Sequence, residues 1–274
     1  MSIEREKIGF IGAGNMANAL IKGLIDNSEF GTEQITASDT DMEKLDKMET
    51  KYSIATTPSN VKVVRDCNII LLCVKPQVIR SVLEEVRHEL SVNHLVISIA
   101  AGIPLRMIRD VIGIQVPIIR VMPNMPAQIQ QGISALTRNN MVSTAHMEKA
   151  LDIFKASGKT IVVEENMLDA VTAVSGSGPG YIFRIMECFV EAGENLGFDR
   201  KTALSLVIQT FIGATHLASE KSEESLTQLC QMIAVPGGTT AAGLTYMEKH
   251  GLEDIIKGGV EAACKRSVEL GKDY

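Results

Sequence analysis

Lysine and arginine cluster nowhere in this sequence. Its 274 residues carry 27 Lys and Arg against 33 Asp and Glu, a formal net charge of -6. That argues against a nucleic-acid surface, which needs concentrated positive charge. Cysteine-pairing motifs are missing too. The five cysteines (Cys67, Cys73, Cys188, Cys230 and Cys264) are odd in number and never spaced as Cys-x-x-Cys. They read as reduced, mostly buried thiols, with no disulfide framework and no metal site. The start, MSIEREKIGFIG, has charges before a short apolar run but no signal-peptide core. No window is expected to reach the roughly 18 apolar residues of a membrane span. A soluble cytoplasmic protein with no nucleic-acid or membrane partner is the expectation.

What is present supports a packed fold. Hydrophobic residues make up 45% of the chain, enough for one large or two modest domains. Short apolar runs at 7–12 (KIGFIG), 34–39 (QITASD), 68–74 (NIILLCV), 95–100 (LVISIA), 117–122 (PIIRVM) and 159–164 (KTIVVE) read as strands. Helical patterns fill the gaps from Met16 to Ile25, from Asp41, and after KPQ as far as Leu90. Strands alternating with helices predict βαβ units and a doubly wound parallel sheet. After Glu164 the strand pattern stops. A helix, a glycine-rich break and a long helix with Pro179 near its first turn come next. Further helices are expected from an Asp199 cap to about Ser219, from Ser222, and from Leu252 to Leu270. The expected class is an α/β dinucleotide-binding, Rossmann-like domain over 1–164, followed by an all-α domain over 165–274.

GFIGAGNMANAL places Gly12-x-Gly14-x-x-Ala17 between the first strand and a helix. Gly12 serves the tight turn, Gly14 lets the backbone approach a pyrophosphate, and Ala17 allows close helix–strand packing. The helix N-terminus offers unpaired N–H groups to the anion. The second strand ends in Asp39, where a carboxylate suits ribose hydroxyls and repels a 2′-phosphate, so the cofactor is NADPH or NADH with a lean to NADH. The alternative is that Asp39 caps the helix starting near Asp41. Lys44 is the nearest base.

The machinery for reducing a carbonyl is missing. No Tyr-x-x-x-Lys pair occurs, and the five histidines (88, 94, 146, 216 and 250) sit in helical or charged surroundings. The long helix after the glycine-rich break carries Arg184 and no lysine, and a guanidinium does not cycle its proton near neutrality. An imine substrate resolves this, because a C=N group arrives already protonated and needs placement and an anchor for its carboxylate. The stretch IAVPGGTTAAGL, residues 233–244, has no ionisable side chain but is built to present backbone N–H groups at a helix start.

GFIGAGNMA, VKPQ, SIAAGI, RVMPN-P, DAVTAVSGSGP, PGGTTAAGL and AACKRSVELG together resemble, in order and spacing, the pyrroline-5-carboxylate reductases, from about Lys7 to Gly271. That family reduces 1-pyrroline-5-carboxylate to L-proline with NADPH or NADH, the last step of proline synthesis. The resemblance implies a homodimer intertwined through the helical domains, often assembled into decamers, with the active site at the dimer interface. It implies that Gly12, Gly14, Asn15 and Met16 hold the pyrophosphate and that Asn60 lies near the adenosine ribose. Val74, Lys75, Pro76, Ala100 and Ala101 would line the nicotinamide end. Ser175, Gly176, Ser177, Gly178, Gly237, Gly238, Thr239 and Thr240 would surround the substrate, the Thr240 hydroxyl facing the imine nitrogen as the catalytic group. Three stretches depart from the family pattern. Met125 stands where PNTP has threonine, Gly180 replaces alanine, and Ala234-Val235 replaces Thr-Ser before PGGTT. The last change keeps two alternatives open: a reductase of another cyclic imino acid, and a non-catalytic regulatory paralogue that binds cofactor.

Overall fold

Tetrapeptides such as IGFI and IILL are apolar on both faces, and both faces are covered. The computed structural model describes residues 6–27, 30–113 and 115–272. In chain order they form β1 (Ile8–Ile11), α1 (Asn15–Asn27), β2 (Ile35–Ser38), α2 (Met42–Tyr52), β3 (Ala55–Thr57), α3 (Asn60–Asp66), β4 (Ile69–Leu72) and α4 (Pro76–Val86). Then follow β5 (Leu95–Ser98), α5 (Leu105–Ile112), β6 (Ile118–Met122), β7 (Gly132–Arg138), α6 (Thr144–Lys155), β8 (Gly158–Val162) and α7 (Leu168–Val171). The remaining helices are α8 (Gly178–Asn195), α9 (Arg200–Glu220), α10 (Leu226–Ile233), α11 (Thr239–Lys249) and α12 (Leu252–Lys272). Chain packing divides these into two units: residues up to Ser177 together with those from Ala263, and residues 178–262.

The first unit is built on one sheet in the order β3-β2-β1-β4-β5-β6-β7-β8. Alternation assigns each strand residue to a face. Ile8, Phe10, Ile69, Leu71, Leu95 and Ile97 pack in one apolar layer with α1, α2 and α6. Ile11, Ile70, Leu72 and Val96 pack in the opposite layer with α3, α4 and α5. This two-sided burial is what a parallel sheet requires. Asp41, Ser59 and Ser143 cap α2, α3 and α6 by accepting first-turn N–H groups.

All six expected strands form, and two more join them. β3 has three residues, too few for a hydrophobic period. β7 runs antiparallel to β6, whereas every other neighbouring pair is parallel. The reason is the connection: between Met122 and Gly132 the chain makes only a short 3₁₀ turn, Met125–Ile129. That is too little for the crossover a parallel return needs. β7 also buries Ser134 and Thr137, which broke its apolar pattern.

Two expectations for the helical half need correction. The glycine-rich stretch after α7 is no break but a π-helical turn, Thr172–Gly176, leading into α8. The helix expected from Ser222 starts instead after Ser225, because Ser225 and Gln228 bond each other's backbone N–H reciprocally. Asp199 caps α9 as expected, accepting the Thr202 N–H at 3.1 Å.

The second unit, residues 178–262, has a meagre core of its own. Val190, Ala203 and Val207 are buried, with Met186 and Phe211 against them. Phe189 meets Phe211 edge-on at 5.8 Å. Around this core, Ile182, Phe183, Phe198, Leu206, Ile212 and Ile255 are exposed, and Leu196 is 83% exposed. Contrary to expectation, α9 is long and apolar enough to cross a membrane by length and composition alone. So much exposed apolar surface marks an interaction face, and a helical unit this small buries a limited core of its own. Light scattering at micromolar concentration is expected to give at least twice the chain mass; an active, monodisperse monomer contradicts this.

Candidate functional site

The sheet order places a crevice before any side chain is considered. The chain steps outward from β1 to β2 and β3, then returns to lay β4 on the other side of β1. The connections at the carboxyl ends of β1 and β4 therefore diverge, and such a switch point is where ligands bind in doubly wound sheets. Gly12 lies there with φ of 102°, and a Cβ on it would stand 2.7 Å from the Cys73 carbonyl oxygen. Its N–H donates to the Ser38 carbonyl at 2.7 Å, tying β1 to β2. At Gly14 an added Cβ would meet no protein atom within 4 Å. Protein packing therefore does not demand a glycine there, whereas close approach of a ligand to the backbone does. Asn15 and Met16 open α1, and the Asn18 amide donates to the carbonyls of Ala13 and Gly14 at 3.3 and 3.2 Å. Ala17 is buried beneath the turn.

Asp39 braces this turn. One carboxylate oxygen accepts the Ala13 N–H at 2.8 Å, and the other accepts the Asp41 N–H at 2.9 Å. Lys44 Nζ stands 3.6 Å away, and the Asp39 side chain is 13% exposed. Burial works to raise the Asp39 pKa, but the two backbone N–H bonds and Lys44 together outweigh it and hold the carboxyl below its usual value. Asp39 thus bonds the N–H of Asp41, while Asp41 itself caps α2. Beside the turn opens a cavity of about 780 Å³ lined by Gly14, Asn15, Asn18, Lys44, Lys47 and Lys51 among others.

The remaining expected cofactor residues lie at the same edge of the sheet. Asn60 begins α3; its Oδ1 accepts the Ser38 hydroxyl at 2.8 Å, and its Nδ2 donates to Glu85 at 2.8 Å. Val74, Lys75 and Pro76 follow β4, Pro76 occupying the first helical position of α4. Ala100 is buried and Ala101 exposed in the turn after β5. Burial pushes the Cys73 thiol far up and the Cys67 thiol up to about 11, so neither ionises near neutrality. Cys188 and Cys230 are exposed on the helical unit, against the expectation of mostly buried thiols.

The expected substrate residues occupy two segments. In the first, the Ser177 N–H reaches back to the Thr172 carbonyl at 2.8 Å, closing the π-helical turn. The Ser175 hydroxyl donates to the Val171 carbonyl at 3.1 Å, so it is turned into its own helix. Gly176, Ser177 and Gly178 carry the chain into α8. Asn124 had no role assigned from the sequence, although RVMPN-P had marked its position. It is 9% exposed, donates to the Ser175 carbonyl at 3.2 Å, and accepts the Ile133 N–H at 2.9 Å.

The second segment joins α10 to α11. Gly237 has φ of 76°, and Gly238, whose N–H donates to the Val235 carbonyl at 2.9 Å, occupies the cap position of α11. No side chain caps α11. The N–H groups of Thr239, Thr240 and Ala241 therefore have no helical partner and face outward with the positive end of the helix dipole. Thr240 is half-buried, and Val235 is 58% exposed.

Residues 165–270 match the family model described as pyrroline-5-carboxylate reductase dimerisation. Residues 7–102 match a model described as NADP oxidoreductase, coenzyme F420-dependent. A pyrroline-5-carboxylate reductase of Methanosarcina acetivorans is 38% identical over 98% of this chain and 100% of its own length. The structure of a pyrroline-5-carboxylate reductase from Coxiella burnetii superimposes with a TM-score of 0.91 at 37% identity, covering 97% of this chain and 98% of that one. A Plasmodium falciparum pyrroline carboxylate reductase with NADP bound gives 0.88 at 31% identity, covering 98% and 100%.

The brace at Asp39 has a pH signature. Its folded pKa lies below the unfolded value of about 3.9. Its stabilisation is therefore complete above that value and disappears as pH falls through the folded pKa. Asp39→Asn is expected to lower stability at neutral pH and to flatten the acid limb of a stability–pH curve below about pH 4. Parallel curves for the two proteins contradict this.

Proposed function

The chain belongs to the pyrroline-5-carboxylate reductase family, and on that premise we propose how its two glycine-rich regions share the reaction. The enzyme is an NAD(P)H-dependent oxidoreductase that reduces the C=N bond of 1-pyrroline-5-carboxylate to give L-proline. The division of the chain into a cofactor part over 1–164 and a helical part over 165–274 belongs to this proposal. So do a homodimer formed through the helical part, further assembly into decamers, and a cytoplasmic location.

The cofactor residues fit a dinucleotide, as the collision at Gly12 and the open space at Gly14 indicate. Gly12, Gly14, Asn15 and Met16 would hold its pyrophosphate, Asn60 its adenosine ribose, and Val74, Lys75, Pro76, Ala100 and Ala101 its nicotinamide end. When bound, the reduced nicotinamide supplies the hydride. Asp39 stays ionised and disfavours a 2′-phosphate, so NADH is proposed as the better cofactor. Lys44 offsets part of that charge at 3.6 Å, which keeps the preference modest. Lys44→Gln is expected to lower kcat/KM for NADPH several-fold more than for NADH; equal losses with both remove Asp39 and Lys44 from the selection.

The observation that carries the substrate assignment is the uncapped start of α11. A carboxylate accepts N–H bonds there without a cationic side chain. Ser175, Gly176, Ser177 and Gly178 are the other residues proposed to meet the substrate, through their backbone groups. The Thr240 hydroxyl would orient the imine nitrogen and hold its proton during reduction. Because the imine brings its own proton, Thr240→Val is expected to lower kcat/KM for it about tenfold, near 1.4 kcal/mol, with cofactor affinity unchanged. A proton-donating Thr240 would cost roughly 100-fold or more. Val235→Ser, which restores the family hydroxyl, is expected to lower KM modestly. The decisive assay mixes protein, NADH or NADPH, and 1-pyrroline-5-carboxylate and follows cofactor oxidation. A silent Thr240→Val places the imine elsewhere.

A further inference from the structure

We infer that Asn124 is a positioning residue for the imine site, supplying the hydrogen bond that Pro179 denies the chain; this rests on the proposed placement of substrate at residues 175–178. In an α-helix the carbonyl of residue 175 accepts the N–H of residue 179. Residue 179 is proline and has no N–H. The Ser175 carbonyl thus lacks an α-helical (i+4) donor at the passage from the π-helical segment into α8. The Asn124 side chain fills the vacancy, its Nδ2 donating to that carbonyl at 3.2 Å. The direction of the amide is fixed independently, because Asn124 Oδ1 accepts the Ile133 N–H at the start of β7 at 2.9 Å. Exchanging oxygen for nitrogen would break both bonds at once. Gly176 presses on the same strand end, where an added Cβ would lie 2.5 Å from the Met122 methyl.

The arrangement is more than a generic core bond. A side chain anchored on the sheet at β6 and β7 sets the position of the Ser175 carbonyl and so the aim of the following backbone groups. Proline at 179 fixes φ in the first turn of α8, and Asn124 compensates for the donor that this rigidity removes. Each residue makes sense of the other.

The test is a double-mutant cycle. Asn124→Asp keeps the size and the acceptor for Ile133 but loses the donor. It is expected to lower kcat/KM for 1-pyrroline-5-carboxylate about tenfold or more, on the scale of one critical hydrogen bond. The effect should appear in the imine KM and kcat, while NADH affinity, read from the fluorescence of bound cofactor, stays unchanged. Pro179→Ala alone should change little. In combination with Asn124→Asp it restores a backbone N–H opposite Ser175, and several-fold of the lost kcat/KM and part of the lost thermal midpoint should return. Losses that simply multiply, or a fall in NADH affinity matching the fall in turnover, overturn the inference. Gly178→Val separates it from the reading beneath it. An added Cβ at Gly178 meets no protein atom within 4 Å, so the variant should fold normally and block only what binds there. If Gly178→Val is silent, the substrate placement fails, whereas absence of rescue with an impaired Gly178→Val overturns the role of Asn124 alone.

Discussion

At Gly12 the backbone passes so close to the Cys73 carbonyl that even a methyl group does not fit. That approach fixes the connection after β1 against the connection after β4, and the other cofactor residues are placed relative to it. The Ser38 carbonyl receives the Gly12 N–H, the Asp39 carboxylate receives the next N–H, and Ser38 in turn holds Asn60 through its hydroxyl. A chain of short-range contacts thus extends from one glycine across β1, β2, β4 and α3. Four buried residues in each of β1 and β4, facing both sides of the sheet, make this a stiff foundation.

The helical half follows a different logic. In the proposed site the substrate carboxylate would meet main-chain N–H groups at the uncapped start of α11, among small or neutral side chains. The loop from α10 to α11 spends its glycines on geometry: one residue at positive φ and one at a cap position that leaves the first turn of α11 unclaimed. On the proposed reading, this separation of duties is why the site would need no lysine or histidine to reduce a C=N bond. Ala234 and Val235 open that loop, and the bonds around it that involve Val235 are made by its backbone N–H and carbonyl. A change of side chain there leaves the amides in place.

Much of this was legible in the residues. The Gly12, Gly14 and Ala17 spacing, the apolar tetrapeptides and Asp199 as a cap each act through local sequence, and each forms as its chemistry dictates. What escaped depends on contacts between distant segments or on geometry that has no period. β7 hides its pairing behind Ser134 and Thr137, and its antiparallel sense follows from a connection too short to cross over. The π-helical turn has the composition of a break, and only its 172-to-177 hydrogen bond distinguishes the two. Asp39 was legible as an acid at the end of a strand, but its grip on Ala13 spans 26 residues of chain. Asn124 stands in the RVMPN-P motif, but its bond to the Ser175 carbonyl spans 51 residues of chain.

The thinly packed helical unit carries a consequence for how much enzyme a cell obtains from each chain it makes. Under the proposed dimer, a surface such as that of α9 would be covered only when another copy arrives, and encounter between two copies depends on the product of their concentrations. Where chains are scarce, the assembled fraction itself rises with abundance, so if only the assembled form turns over, activity climbs more steeply than expression. Where chains are plentiful, nearly all are assembled and activity becomes proportional to amount. A modest change in synthesis near that crossover acts on flux with a gain greater than one, without any effector molecule.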